Sequence, residues 1–595
     1  MDAPVVSAFL DVESSLKGKR WRLRSENERL GLAISQRLDV PEIVGRVMAG
    51  RGVALEEAEQ YLDPTLRTLL PNPSSFKDMD KAAGRIAAAI EGKEKIAVFG
   101  DYDVDGATSS GLLKRFFNAI GVPVIIYIPD RMKEGYGPNA AAMDKLKSQG
   151  IDLVITADCG IVSFDVLSHA KEIGLEVIVV DHHQAETRLP DAVAVINPKR
   201  HDESQKFTYL AAVGVTFLLV VAVNRALREA GWYNETRREP NPIHWLDLVA
   251  LGTVCDVVPL VGLNRAFVAQ GLKVMARRGN AGLAALADVA GLDEAPGTYH
   301  AGFLLGPRVN AGGRVGRPEY GPELLSLDDP AECRKLAQFL DGYNQDRKTI
   351  EAGVQDEALA LVEGSALKDD SIIVVAGENW HPGVIGIVAS RLKDAYQRPA
   401  IVIALDGAEG KGSGRSVPGV DIGAAIGAAR HKQLITAGGG HMMAAGLSIA
   451  SDRIDEFRAF LNDRLKGAVS EASKTASLGL DGALSVEGAT VELISLLEQA
   501  GPYGAGNPEP RFALQNVRLV QASIVGENHV RCIMTGTGGR GRLAGICFRA
   551  LETPLGEALL SHQGAGFHIA GHLRKNVWQG KVSAQLMIDD AVRLT

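Results

Sequence analysis

At 595 residues the chain is too long for a single hydrophobic core, and its length predicts about three or four domains. Hydrophobic residues at 46% and charged residues at 23% are ordinary globular values, which exclude a mainly disordered chain. The formal net charge of -8 does not advertise the clustered lysines and arginines that usually meet nucleic-acid phosphates. A site that gathers carboxylates around divalent cations, however, is acidic by sequence and cationic once loaded.

Five cysteines (Cys159, Cys255, Cys333, Cys532, Cys547) are odd in number and form no CxxC pair, so neither a disulfide framework nor a structural zinc site is expected. The longest apolar stretch, Tyr209 to Val223, contains Gly214 and Thr216 and falls short of the ~20 residues that span a bilayer, which predicts a buried helix. The opening MDAPVVSAFLDVESS carries Asp2 and Asp11 and has no basic segment before its apolar residues, so it does not suit a secretory signal, and a cytoplasmic location is expected.

In chain order, residues 1–90 read as helical and polar, with breaks at Pro64 and from Pro71 to Ser75, and residues 1–70 as an N-terminal helical arm. The basic run KGKRWRLR, Lys17 to Arg24, reads as solvated; its functional alternative is a phosphate-touching tail with Trp21 free to stack on a base. From Lys95 short β-branched runs alternate with helical stretches: KIAVF, VPVIIYI, DLVIT, EVIVV and AVAVI. That alternation predicts an α/β domain over 71–322 with a parallel, doubly wound sheet, whose ligands collect beyond the carboxyl ends of the strands. A charged segment over 323–368 predicts a long connecting helix. A second α/β domain over 369–468 opens with SIIVVAG and holds two glycine-dense stretches, Gly410 to Gly419 and Gly438 to Gly440. Residues 469–595 are mostly strand-like, and three strands, a helix and two strands predict an OB-fold, a barrel often used for single-stranded nucleic acid.

The residues after the first domain's apolar runs are unusual: Asp101-Tyr102-Asp103-Val104-Asp105-Gly106, then Asp130-Arg131, then Asp158, then Asp181-His182-His183. Helix capping explains Asp158 or Asp101 alone but not DYDVDG and DHH together, and carboxylate with imidazole suits Mn²⁺ or Mg²⁺. In extended backbone Asp101, Asp103 and Asp105 would aim at one place, with Gly106 turning the chain into a helix. Adjacent His182 and His183 in extended backbone could not both face one metal, leaving one to ligate and the other to touch substrate or act as an acid. Asp256 sits in the apolar LDLVALGTVCDVVPL, where a buried carboxylate needs a metal or a backbone partner.

GDYDVDGATSS, TADCG, DHH and GTVCDVVPL resemble, in order, the four motifs of the Asp-His-His phosphoesterases. HPGVIGIVASRL (381–392) and GGGH (438–441) resemble the associated C-terminal domain. GPRVNAGGR (306–314), GSGRS (412–416) and GPYGAGNPEP complete a likeness, over residues 70–595, to the branch that degrades single-stranded DNA. Many members carry a His four residues before the Asp-x-Asp pair; here Phe99 stands there, with Asp101 a candidate for the vacated space.

The resemblance implies a hydrolase with two Mn²⁺ or Mg²⁺ ions, Asp103 and Asp105 each on one, Asp158 bridging, and His182 and Asp256 completing the second. Asp101 and Asp181 join the metal set, Asp181 by orienting an imidazole, and His183 is left for the phosphate. It further implies release of 5'-mononucleotides from a 5' end in recombination and repair. Candidate DNA- and phosphate-binding residues are Arg131, Arg308, Asn310, Ser413, Arg415, His441 and the backbone of Gly438, Gly439 and Gly440. A narrow gap between the two α/β domains, together with the barrel, would exclude duplex. A helicase and a single-strand-binding protein are the expected partners of a monomer. The alternatives are a phosphodiesterase or pyrophosphatase for small substrates and a catalytically silent strand-binding module.

Overall fold

The computed structural model describes residues 7–594. The chain forms two compact units, one of Pro71–Val258 with Gln270–Lys474, the other of the described residues up to Leu70, Pro259–Ala269, and those from Thr475 on.

The first unit is built on five parallel strands: β1 (Ile96–Gly100), β2 (Val124–Tyr127), β3 (Leu153–Ala157), β4 (Glu176–Val180) and β5 (Ala194–Ile196). Their spatial order is β2-β1-β3-β4-β5. These are the five apolar runs read from the sequence, and β1 and β3 are buried along their whole length, as strands covered on both faces must be. One helical layer holds Ala140–Ser148 and Phe164–Glu172 over Phe99, Val154 and Val179. The other holds Val104–Ala119 against Ala212–Glu229 and Leu246–Cys255. The apolar stretch at Tyr209 becomes the buried helix Ala212–Glu229, and among the described residues no helix is long and apolar enough to cross a membrane. With β1 between β2 and β3, the chain departs from β1 in opposite directions, and the crevice beyond the ends of β1 and β3 is the topological switch point.

The expected single connector over 323–368 is two helices, Tyr320–Ser326 and Pro330–Glu363. The break falls at Asp329, whose Oδ1 accepts the N–H groups of Ala331 (2.7 Å) and Glu332 (3.0 Å), with Pro330 in the first helical position. The 34-residue helix, ~50 Å long by its rise, leads to a mixed sheet. Its strands are β6 (Ile373–Glu378), β7 (Ala400–Asp406), β8 (Glu409–Arg415), β9 (Ala437–His441) and β10 (Ala444–Ala450), in the order β9-β10-β8-β7-β6.

The second unit is a closed barrel. Phe512–Val525 pairs with His529–Thr535, then Leu543–Cys547, Lys581–Arg593 and Gly566–Trp578 follow, and the last pairs back with Phe512–Val525. The helix Pro554–Leu560 separates the third strand from the fourth, which is the OB arrangement. The N-terminal segment is not a solvated arm: Arg20–Leu23 pairs in parallel with Ser477–Leu480. Trp21 is fully buried beside Leu480, Ala513 and Ala570, and its indole Nε1 donates to Asp590 Oδ2 (3.1 Å), so it cannot stack on a base. Strand alternation decides this, since burying Trp21 turns Arg20 and Arg22 to the other face.

His572 lies in this unit with Nε2 3.0 Å from Asp589 Oδ2 and Nδ1 donating to the Pro510 carbonyl at 2.9 Å. Burial opposes its charge, but the bond to Asp589 prevails and raises its pKa above the ordinary value. A raised histidine contributes stability that is complete below its unfolded pKa and disappears as pH climbs through the folded one. The stability gap between the wild type and His572→Gln, measured by chemical denaturation, is therefore expected to be wide near about pH 6 and narrower by about pH 9. A gap independent of pH would show that the ion pair contributes nothing.

Candidate metal centre

Backbone chemistry fixes each carboxylate at the switch point. Asp101 follows β1, its N–H donating to the Ala157 carbonyl (3.2 Å). Asp103 keeps the extended backbone that the spacing suggested, but the run does not continue through Asp105. Asp103 is the N-cap of helix Val104–Ala119, its Oδ1 accepting from the N–H groups of Asp105 (2.9 Å) and Gly106 (3.1 Å), and Asp105 lies in the first turn. The N-cap preference of aspartate prevails over strand periodicity here. Gly106 is required for close approach, because a Cβ there would stand 2.4 Å from the Asp101 carbonyl oxygen.

Asp105 is fully buried, and its Oδ2 and Oδ1 accept the N–H groups of Ala212 (2.7 Å) and Val213 (2.8 Å), at the N-terminus of the apolar helix. Asp158 follows β3 in the left-handed region (φ 67°), with its N–H donating to the Val180 carbonyl. Asp256 is the C-cap of helix Leu246–Cys255.

His182 donates from Nδ1 to the Leu210 carbonyl (3.0 Å), so Nε2 presents a lone pair. That nitrogen lies 3.3 Å from Asp158 Oδ1, 3.5 Å from Asp256 Oδ2 and 3.9 Å from Asp105 Oδ2. Burial, followed by the neighbouring His183, depresses the His182 pKa to about 3, so it is neutral. Among the described residues, the lone pair and the buried carboxylate atoms Asp101 Oδ1, Asp158 Oδ1 and Asp256 Oδ2 have no hydrogen-bond partner. Burial first, then mutual repulsion, pushes Asp105 up to about 7 and Asp256 to about 9, and raises Asp101 and Asp158 well above the usual carboxylate range. Oxygen and imidazole donors that repel one another at this range fit divalent cations.

Among the described residues, three trios have ligand atoms within 4.8 Å of one another: Asp101, Asp103 and Asp158; Asp105, His182 and Asp256; and Asp158, His182 and His183. Asp181 is in none of them. Its Oδ1 accepts from the His182 N–H (2.7 Å) and from His183 Nδ1 (2.7 Å), and its Oδ2 from the Ile161 N–H (3.0 Å). The backbone here is not extended, so both imidazoles reach the centre: the rings lie 4.7 Å apart and His183 Nδ1 is 3.8 Å from Asp158 Oδ1. Burial opposes the His183 charge, but Asp181 lifts its pKa to about 9. Tyr136, which sequence reasoning missed, donates its hydroxyl to the Asp158 carbonyl (3.1 Å) beside His183.

A neighbouring cleft of about 430 Å³ is lined by Arg131, Arg314, Gly386, Ser413, Arg415 and Gly438, among others. The Arg131 guanidinium lies 5.1 Å from the centroid of the Tyr102 ring, and Tyr102 stands between Asp101 and Asp103. A Cβ at Gly386 would fall 2.9 Å from Ser413 Oγ and 3.0 Å from an Arg415 nitrogen, which gives the glycine of the HPGVIG motif a physical reason. Arg314 was not singled out from the sequence, although it closes the GPRVNAGGR motif; burial and then the Arg131 charge lower its pKa to about 10. Other candidates fall elsewhere. Arg308 is a buried clamp on Asp341 (2.9 Å) and the Leu304 carbonyl. Asn310, Gly439, Gly440 and the exposed His441 do not line the cleft.

Residues 95–253 match the DHH family, N-terminal domain, residues 369–467 the DHHA1 domain and residues 480–590 the RecJ OB domain. The single-stranded-DNA-specific exonuclease RecJ of Salmonella typhimurium (strain LT2) is 37% identical, over 93% of this chain and 96% of its own length. The chain belongs to the RecJ family. The RecJ of Bacillus subtilis (strain 168) is 34% identical over 96% of this chain and 70% of its own. The crystal structure of RecJ in complex with Mn²⁺ from Thermus thermophilus superposes with a TM-score of 0.80 at 29% identity, covering 97% of this chain and 80% of that one.

Phe99, where many Asp-His-His proteins carry a histidine, is fully buried in the opposite core layer and stacks on Tyr127 with ring centroids 5.3 Å apart. Phe99→His is expected to lose about 1–3 kcal/mol of stability by burying a polar ring, with no gain in metal affinity. Isothermal titration with Mn²⁺ checks it, and tighter binding by the variant would show that position 99 reaches the centre.

Proposed function

We propose that the chain is a single-stranded-DNA-specific exonuclease that removes 5'-mononucleotides from a 5' end by metal-assisted hydrolysis. The observation that carries this reading is the shared Asp158, which serves one carboxylate trio while lying 3.3 Å from the His182 nitrogen of the next, beside an arginine-lined cleft. Asp101, Asp103 and Asp158 would hold one Mn²⁺ or Mg²⁺ ion; Asp105, His182 and Asp256 would hold a second, with Asp158 between them. Asp101 takes the place of the histidine absent at Phe99. Such a pair of ions supplies a water of lowered pKa and electrostatic support for the attacking and leaving oxygens of an in-line displacement.

The chain's own residues supply position and charge. Asp181 holds the proton on His183 Nδ1, which leaves Nε2 on a half-exposed ring to donate to a non-bridging phosphate oxygen. Arg131, Arg314 and Arg415 form a fork for the terminal 5' phosphate, with Ser413 Oγ and the Gly438 backbone beside it. Burial of Arg314 and Arg415 strengthens their hold on an anion and costs stability when none is present. A strand anchored by its end phosphate presents its first internal phosphate to the metal centre, so successive cleavage yields mononucleotides. We place this activity in the cytoplasm, in recombination and repair, with a helicase and a single-strand-binding protein supplying and guarding the strand.

Digestion of 5'-labelled and 3'-labelled single strands with Mn²⁺ tests the reading. The 5' label is expected to leave first as a mononucleotide; early release of the 3' label overturns the polarity, and cleavage confined to dinucleotides overturns the substrate class. Asp158→Ala is expected to abolish turnover. Asp181→Asn, which frees the His183 ring but leaves the two trios proposed to hold the ions intact, is expected to lower kcat by about 10- to 100-fold. An Asp181→Asn enzyme with full kcat would remove His183 orientation from the mechanism.

A further inference from the structure

The basic run from Lys17 to Arg24 has no part in the metal centre, and the fold gives it a defined place. Arg20–Leu23 pairs with Ser477–Leu480, and the ladder continues through the Arg24 N–H to the Leu480 carbonyl (2.8 Å). Arg22 and Arg24 therefore project from the same face, ~6.6 Å apart by the strand rise. They border a cleft of about 380 Å³ with Arg511, Ser477, Gly479 and Gly50, entirely within the barrel unit.

This cleft is built for guanidinium groups. A Cβ at Gly479 would stand 3.3 Å from Arg24 Cζ, so that glycine leaves room for the arginine. Beneath it Asp481, fully buried, takes Arg51 Nη1 at 2.5 Å and the Arg511 N–H at 2.9 Å, and lies 3.5 Å from Arg24 Nε. The Arg511 guanidinium is held by Asp589 (2.8 Å). Arg24, Arg51 and Arg511 thus share two carboxylates, while Arg22 is exposed and the described residues offer it no acidic partner. Burial, opposed by Asp481 and assisted by Arg51 and Arg511, lowers the Arg24 pKa, as expected of a cation held short of counter-charge.

We propose that this cleft is a second anion site, which grips the phosphodiester backbone of single-stranded DNA. Two arginines on one strand face, spaced like successive phosphates of an extended strand, suit a repeating anion. The lining offers one aliphatic side chain, Leu23, and no aromatic ring, so it suits neither a stacked base nor the apolar anchors by which peptides dock. Contact is therefore to the backbone and independent of base sequence. The proposal rests on the single-strand reading of the function and adds a grip that acts on long strands only.

The test uses the full chain, EDTA to prevent cleavage, and a fluorescein-labelled oligothymidylate of roughly 30 nucleotides, long enough to span an OB-type site several times over. Anisotropy titrations at several salt concentrations compare the wild type with Arg22→Gln, Arg24→Gln and the double variant. The double variant is expected to bind roughly tenfold more weakly, with the slope of log K against log salt reduced by ~0.7 for each arginine removed. With Mn²⁺ restored, its KM for the long strand rises while kcat and dinucleotide cleavage stay unchanged. Because Arg22 is exposed, Arg22→Gln reports on the site even if Arg24→Gln fails to fold. An unchanged affinity and salt slope in Arg22→Gln and the double variant overturns the proposal. So does unchanged oligothymidylate binding together with lost binding of a labelled oligoglutamate, which would assign the cleft to an acidic peptide. Failure of the wild type to bind or cut the long strand would instead strike the exonuclease reading itself.

Discussion

The repulsion among buried carboxylates at the switch point is the constraint on which the rest of this molecule depends. Asp101, Asp103, Asp105, Asp158 and Asp256 cannot relax apart, because each is tied by backbone: a strand end, an N-cap, a helix N-terminus 107 residues away, a left-handed turn and a C-cap. A lone pair on His182 aimed into the same space adds to the cost. Protons relieve it in the absence of a cation, which is the meaning of an Asp256 lifted to about 9 and an Asp105 lifted to about 7. A divalent ion relieves it better, so ion binding, proton release and stability are one coupled equilibrium.

Much of this was legible in the sequence. The parallel sheet announced itself through β-branched runs, and the residues immediately after those runs became the centre, because an α/β sheet exposes its strand ends at the switch point. What misled was local backbone. Asp101, Asp103 and Asp105 read as alternating residues of a strand, whereas Asp103 begins a helix, and His182 and His183 read as opposed but both reach Asp158. Capping is a competition between a side chain and strand geometry that a two-residue period does not register. Arg314 and Tyr136 escaped notice because they come from distant segments and matter only once packing brings them beside Tyr102 and His183. Arg308 was chosen for its motif, yet it serves Asp341.

The apolar helix Ala212–Glu229 shows how function and stability share one residue. Its first turn has no side-chain cap of its own, and Asp105 supplies both acceptors from across the domain. A carboxylate at a helix N-terminus is favoured by the dipole and by the orphan N–H groups. The same contact holds Asp105 beside His182 and Asp256, so loss of this side chain would loosen a core helix as well as the proposed metal centre, and activity alone could not separate the two effects.

A net charge of -8 on a protein that handles a polyanion is explained by how the charges are sorted. The acidic surplus includes carboxylates gathered where cations sit, so it works against DNA only when the centre is empty. The cationic groups proposed to meet phosphate are gathered in two clefts: Arg131, Arg314 and Arg415 in one, Arg22, Arg24 and Arg511 in another. Desolvated guanidinium groups in a walled cleft act more strongly than the same number spread over a solvated surface, where salt screens them within ~10 Å. Whole-chain charge averages over this arrangement, and sequence composition therefore points away from the substrate that the local fields select.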